Sequence, residues 1–180
     1  MSSQAPRAIA WQDQLIGVSA ELRGWLADQG SLTRRISQRC ADFQVSALKQ
    51  WHSPALVDEA AVVGLAVGQN ALLREVYLNC GATPVVFAHS VLPRHSLTGS
   101  WATLAKLGNR PLGAALFADP RVRRRGLQFR RLDCRHPLYF RALAGMVQAP
   151  PILWARRSLF MLAERRILVT EVFLPEVFKL

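Results

Sequence analysis

The stretch "ALLREVYLNCGATPVVFAHSVLP", residues 71 to 93, decides the fold. Two apolar, β-rich runs flank the turn residues Asn79, Gly81 and Thr83, the signature of a β-hairpin. Working outward, "DFQVSALKQW" from Asp42 alternates Phe43, Val45 and Ala47 against Gln44 and Ser46 and predicts a strand. Further strands are expected over 126–133, 154–162 and 166–174, the last two joined by the tight connection "AERR". The intervening segments predict helices. Leu15, Val18, Leu22, Trp25 and Leu26 recur at helical spacing over 13–29 with Gly30 as terminator, and Ser31 caps a short helix through Ile36. A weakly patterned linker runs through Pro54 and Asp58. "SLTGSWATLAKLGNRPLGAALF", residues 96–117, reads as two short helices, broken at Gly108 and restarted at Pro111. Six strands, mostly hairpin-linked, favour an α+β fold on an antiparallel sheet over a parallel βαβ arrangement.

A chain of 180 residues, 51% hydrophobic and 19% charged, suits one globular domain over 1–180. The N-terminal "MSSQAPRAIAWQDQ" lacks the pattern of a secretory leader and no apolar run is long enough to span a bilayer, so a cytoplasmic protein is expected. Cys40, Cys80 and Cys134 are odd in number and widely spaced. They are read as reduced structural thiols, with neither a disulfide framework nor a metal site.

The net charge of +11 favours an anionic partner. Eight arginines (121, 123, 124, 125, 130, 131, 135 and 141) gather between Arg121 and Arg141 against a single acid, Asp133. That cluster reads as a solvated face, as an anion-steering patch or as a nucleic-acid footprint. With only Phe129 interleaved, and no helix-turn-helix or RNP motif, nucleic acid is not expected. The apolar segment His136 to Leu153 beside it suits a lid or an interfacial element.

One anomaly points to chemistry. In "RRILVTEVFLPEV", residues 165–177, one strand face carries Ile167, Val169, Glu171 and Phe173, and the other Leu168, Thr170, Val172 and Leu174. Glu171 therefore interrupts an apolar stripe. Arg74 does the same on the face of Leu72, Val76 and Leu78. Buried charges need partners. Either the two satisfy each other as an ion pair, or they line a dry cavity in which Arg74 grips a ligand carboxylate and Glu171 faces a hydroxyl. Pattern alone leaves both open. His52, His89, His95 and His136 show no metal-ligand spacing, and His89 reads as a hydrogen-bonded structural histidine. "LGNRPLG" lacks the spacing of a phosphate-binding loop and reads as a helix junction with backbone N–H groups near Leu112 and Gly113.

The ordered blocks "SLTRRI" at Ser31, "LLREVYL" at Leu72, "PVVFAHSVLP" at Pro84, "LGNRPLGAALF" at Leu107, "LWARRS" at Leu153 and "TEVFLP" at Thr170 resemble the chorismate pyruvate-lyase family over nearly the whole chain. The resemblance implies a six-stranded antiparallel sheet with helical flaps over a buried ligand. It implies an enzyme that removes pyruvate from chorismate, leaves 4-hydroxybenzoate for ubiquinone synthesis and uses no metal or organic cofactor. Carried over by position, Arg74 matches the arginine that grips the ring carboxylate and Glu171 the glutamate at the hydroxyl end. Leu32 and Leu112 match flap positions that contact the ligand. His89 stands where the family pattern has arginine, and residues 134–151 are longer than in compact members. That segment is expected to make a peripheral contact with anionic lipid or a membrane-bound prenyltransferase, from an otherwise monomeric protein. The competing expectation is a non-catalytic, effector-sensing domain of the same fold type.

Overall fold

The computed structural model describes residues 10–144, 146 and 148–180. The N-terminal stretch quoted above lies, through residue 9, outside them. The hairpin forms as expected: β2 (Asn70–Cys80) pairs antiparallel with β3 (Thr83–Pro93) around Gly81, whose φ of 58° suits a residue without Cβ. β1 (Phe43–Pro54) flanks β2 on one side. It absorbs the stretch expected to be a linker as far as Pro54, because a bulge between Ala47 and Lys49 resets the register and hides the alternation beyond it, and Asp58 falls in a short helix. On the other side β3 pairs with β7 (Arg165–Phe173), and β7 with β6 (Leu153–Leu162). β5 (Gln128–Leu132) and the two-residue β4 (Arg123–Arg124) both add to β6. Six longer strands thus match the expected antiparallel sheet, and β4 is an addition.

Helices cover both sheet faces, which is why neither face of β7 reads as solvated. One face carries Val76, Leu78, Val86, Ala88 and Phe173 beneath α1 (Ala20–Leu26) and α2 (Leu32–Ser37). Its other half carries Leu72, Leu92, Phe160 and Ile167 beneath the 3₁₀ helix Gly99–Lys106 and α4 (Leu112–Ala118). The opposite face buries Tyr77, Phe87 and Val172 under α5 (Pro137–Ala142), and Leu73, Val91 and Leu168 under α3 (Val57–Ala60) and the turn after it.

Three expectations are corrected. The helix expected over 13–29 is confined to α1: Gly17 is left-handed at φ 67°, Gln12 bridges to Phe129, and Ser19 caps the helix by accepting from Leu22 N–H. The break at Gly108 and the restart beyond Pro111 occur, but the first of the two helices is 3₁₀. Cys40 and Cys80 are not free thiols. They form a disulfide that ties the chain after α2 to the end of β2, leaving Cys134 free and exposed. Forty residues separate them in sequence, so only the sheet brings them together. Among the described residues, no helix is long and apolar enough to cross a membrane.

Candidate active site

Between the two halves of the first sheet face lies a small cavity, in which the centre of a water molecule has about 40 Å³ of free space. Its floor is the sheet: Val45, Arg74, Val76, Leu78, Ala88, Ser90, Ser158, Phe160, Val169 and Glu171. Its roof is two helix starts, Ser31–Thr33 of the α2 end and Pro111–Gly113 of the α4 end, with Phe117. The two starts meet closely, since a Cβ on Gly113 would lie 3.9 Å from Thr33 Oγ1 and 4.0 Å from Ser31 Oγ. Arg74, Glu171, Leu32 and Leu112, the four residues singled out in the sequence, therefore line one space.

Arg74 and Glu171 do not pair with each other. Arg74 is buried at 3% exposure, and among the described residues no carboxylate lies within ion-pair distance of it. Its Nη2 donates to the carbonyls of Gly108 and Arg110, both at 2.9 Å. Those bonds orient the guanidinium without neutralising it. Burial depresses its pKa below the ordinary arginine value, although an arginine stays charged in proteins.

Glu171 is held by Arg156, a partner that the sequence pattern did not reveal. The two residues are opposite each other on β7 and β6, and Arg156 Nε donates to Glu171 Oε2 at 2.5 Å. Arg156 is fully buried, and its Nη1 donates to the carbonyls of Trp25, Leu26 and Asp28 at the C-terminal end of α1. A cation there satisfies carbonyls that the helix leaves open. In "LWARRS" the arginine pair could have signalled a second charged residue on the β6 face beside Glu171.

His89 does not line the cavity. It faces the opposite side of the sheet, fully buried, with Nδ1 3.0 Å from Glu75 Oε1 and Nε2 3.4 Å from Glu59 Oε2. Burial pushes its pKa down, but hydrogen bonds and charges from Glu59 and Glu75 outweigh that and raise it to about 9. Arg141 joins the group through Glu75 at 3.1 Å. Nearby, burial pushes Asp58 up, yet hydrogen bonds from His136 and Trp11 and the charges of His136 and Arg130 hold it well below the usual carboxylate range.

The arginine cluster is thus dispersed. Arg130 and Arg141 serve internal ion pairs, Arg121 and Arg135 pair with neighbouring aspartates at the surface, and Arg124 enters the cavity wall. Residues 136–144 do not form a lid over the cavity. α5 packs on the far face, where Ala142 and Ala144 carbonyls accept from Tyr77 Oη, and Phe140 stays 61% exposed. Among the described residues, no group of three His, Cys, Asp or Glu side chains is placed to hold a metal ion.

The family model for chorismate lyase matches residues 5–180. The chain belongs to the chorismate lyase family. It is 45% identical over 172 residues to a "Probable chorismate pyruvate-lyase" of Nitrosomonas europaea, covering 96% of this chain and 97% of the relative. It is 52% identical over 165 residues to a protein of the same description from Aromatoleum aromaticum, covering 91% and 89%. Among solved structures, a GntR-family transcriptional regulator from Bacillus cereus superposes with a TM-score of 0.55 at 12% identity, over 77% of this chain and 96% of that one. The C-terminal domain of PhnF does so with a TM-score of 0.56 at 13% identity, over 72% and 80%. At such identities the chorismate lyase family and these regulator domains share a fold, and the likeness extends no further.

Proposed function

We propose that this protein is a chorismate pyruvate-lyase, which eliminates pyruvate from chorismate, leaves 4-hydroxybenzoate and so supplies ubiquinone synthesis in the cytoplasm. The observation that carries the reading is Arg74, a guanidinium 3% exposed and, among the described residues, without a carboxylate partner, in a cavity that also holds Glu171. A buried cation fixed by two carbonyls is a ready receptor for a ligand carboxylate. Family membership, with relatives described as chorismate pyruvate-lyases, supports the choice of ligand.

The reaction asks little of the protein. The ether C–O bond of chorismate breaks, the neighbouring ring C–H supplies its electron pair to the ring, and the departing enolpyruvate takes a proton at its methylene carbon. Aromatisation provides the driving force, so the tasks left are orientation, charge neutralisation and exclusion of water. Arg74 holds the ring carboxylate. Glu171, itself positioned by Arg156, accepts a hydrogen bond from the ring hydroxyl on the carbon that loses its proton. Leu32 and Leu112 close the roof with apolar side chains. No metal or organic cofactor enters this scheme.

Mixing purified protein with chorismate alone, and following pyruvate and 4-hydroxybenzoate, tests the reading. Equal amounts of the two products are expected, and Arg74→Ala and Glu171→Gln should each lower turnover or affinity. No stoichiometric formation of the products would leave the effector-sensing alternative, whose support is the regulator-like fold. A peripheral contact of the segment 134–151 with anionic lipid, in which Phe140 is 61% exposed, completes the proposal. Flotation with anionic vesicles at low salt tests that contact, and failure to bind them removes it.

A further inference from the structure

We infer that Arg124 is a second carboxylate-binding residue of the cavity, taking the carboxylate on the enolpyruvyl side chain, so that the site reads a dianion. The inference rests on the proposed function and deepens it.

Arg124 lies in β4 and lines the same cavity as Arg74 and Glu171. Its Nε donates to Ser158 Oγ at 2.8 Å and its Nη1 to the Gln29 carbonyl at 2.7 Å, while the guanidinium carbon sits 5.5 Å and 5.6 Å from the Phe117 and Phe160 ring centroids. These contacts fix the group between a hydroxyl, a carbonyl and two ring faces. None of them is an acid, and among the described residues no carboxylate lies within ion-pair distance of Arg124. Burial is the main cause that lowers its pKa and the charge of Arg156 adds to it, while the more distant charges of Glu171 and Asp28 oppose the shift without reversing it.

The charge balance of the site follows. Glu171 is the carboxylate in the lining, and Arg156 already neutralises it. Arg74 and Arg124 therefore present to one space two positive charges that have no ion-pair partner among the described residues, which suits a ligand carrying two negative charges. Chorismate is such a ligand, with one carboxylate on the ring and one on the enolpyruvyl ether. The aromatic product retains only the first. Arg74 would serve substrate and product alike, and Arg124 the part that leaves. Arg124 also borders an open groove walled by Arg121, Arg123, Arg125 and Arg165, so positive charge continues from the cavity wall to the surface.

The test compares a monoanion with a dianion on the same framework. Binding of 4-hydroxybenzoate and of 3-(carboxymethoxy)-4-hydroxybenzoate, a stable aromatic that keeps both carboxylates, is measured by calorimetry for wild type, Arg124→Gln, Arg124→Lys and Arg74→Gln. Wild type should bind the dianion more tightly. Arg124→Gln should cost the dianion, and kcat/KM for chorismate, roughly 10- to 100-fold, as loss of a charged hydrogen bond does, and leave 4-hydroxybenzoate within about threefold. Arg124→Lys should retain part of the preference, and Arg74→Gln should weaken both ligands. Retained binding of 4-hydroxybenzoate also reports that the variant is folded. Equal weakening of both ligands by Arg124→Gln would reduce Arg124 to a strut for the α2 flap, and no weakening of either would remove it from the site; each overturns the inference. A wild type that forms no pyruvate would sink the proposed function, and the binding comparison would still decide Arg124.

Discussion

Arg156 and Glu171 face each other across β6 and β7, and the guanidinium of the first both holds the carboxylate of the second and satisfies carbonyls at the end of α1. One buried cation thereby couples the floor of the cavity to the helix beside its roof. Replacing Arg156 by Met should destabilise the fold by about 3–5 kcal/mol, the cost typical of leaving one member of a buried pair uncompensated. The double variant Arg156→Met/Glu171→Gln should recover part of that loss without recovering activity. Urea denaturation of the four proteins in this cycle checks the coupling, and simple additivity would mean that the pair contributes nothing.

His89 makes stability pH-dependent in a defined direction. Its pKa is raised from 6.5 to about 9 by Glu59 and Glu75, with Arg141 facing the same cluster through Glu75. The protonated form is favoured by the fold, so its contribution is complete below pH 6.5 and is lost as the pH rises toward 9. On the order of 3 kcal/mol is at stake. Melting temperature should fall between pH 7 and 9.5 in the wild type and fall less in His89→Gln. Parallel profiles for the two proteins would show that the histidine is not charged in the fold.

The sequence exposed the parts of this fold that depend on local alternation and on turn residues. The hairpin 71–93, the strands 154–162 and 166–174 and the Ser31 cap read directly, because each repeats a period or ends at a residue with a definite backbone preference. The bulge in β1 and the left-handed Gly17 were hidden, since one extra or one inverted residue breaks the period without leaving a compositional mark. Arg74 and Glu171 stood out as charges on apolar stripes, but pattern could not say whether they met. That depended on Arg156, whose role rests on cross-strand register and on the position of α1. The Cys40–Cys80 pairing was illegible for the same reason, being a contact made by the sheet across 40 residues.

The disulfide closes a loop of that length and ties the segment after α2, whose first residue Leu32 lines the cavity, to the sheet. Constraining such a loop in the unfolded chain stabilises the native state by about 4 kcal/mol. Reduction with dithiothreitol, or Cys40→Ser, should therefore lower the melting temperature by about 8–16 °C for a chain of this size. Thiol titration under denaturing conditions should find one free cysteine, Cys134, before reduction and three after it. Three titratable thiols in the untreated protein would show that the bond is absent in solution.

Gly108 offers a way to move Arg74 without touching it. Its carbonyl accepts from Arg74 Nη2 at 2.9 Å, and its φ of 54° lies in the left-handed region, where a side chain costs about 1–2 kcal/mol. Among the described residues, no atom beyond its two chain neighbours lies within 4 Å of where a Cβ would be built, so Gly108→Ala meets no steric obstacle there and acts through the backbone. Relief of the strain rotates the peptide and withdraws one of the two carbonyls that aim the guanidinium. Arg74 keeps its charge but loses its orientation, so affinity for 4-hydroxybenzoate should fall by about three- to tenfold, in line with one misdirected hydrogen bond. Gly81→Ala is the control, since Gly81 also has a positive φ and open space but lies at the hairpin tip, away from the cavity lining. It should lose a similar amount of stability while binding the product as the wild type does. Equal product affinity in both variants would separate the Gly108 carbonyl from the aim of Arg74.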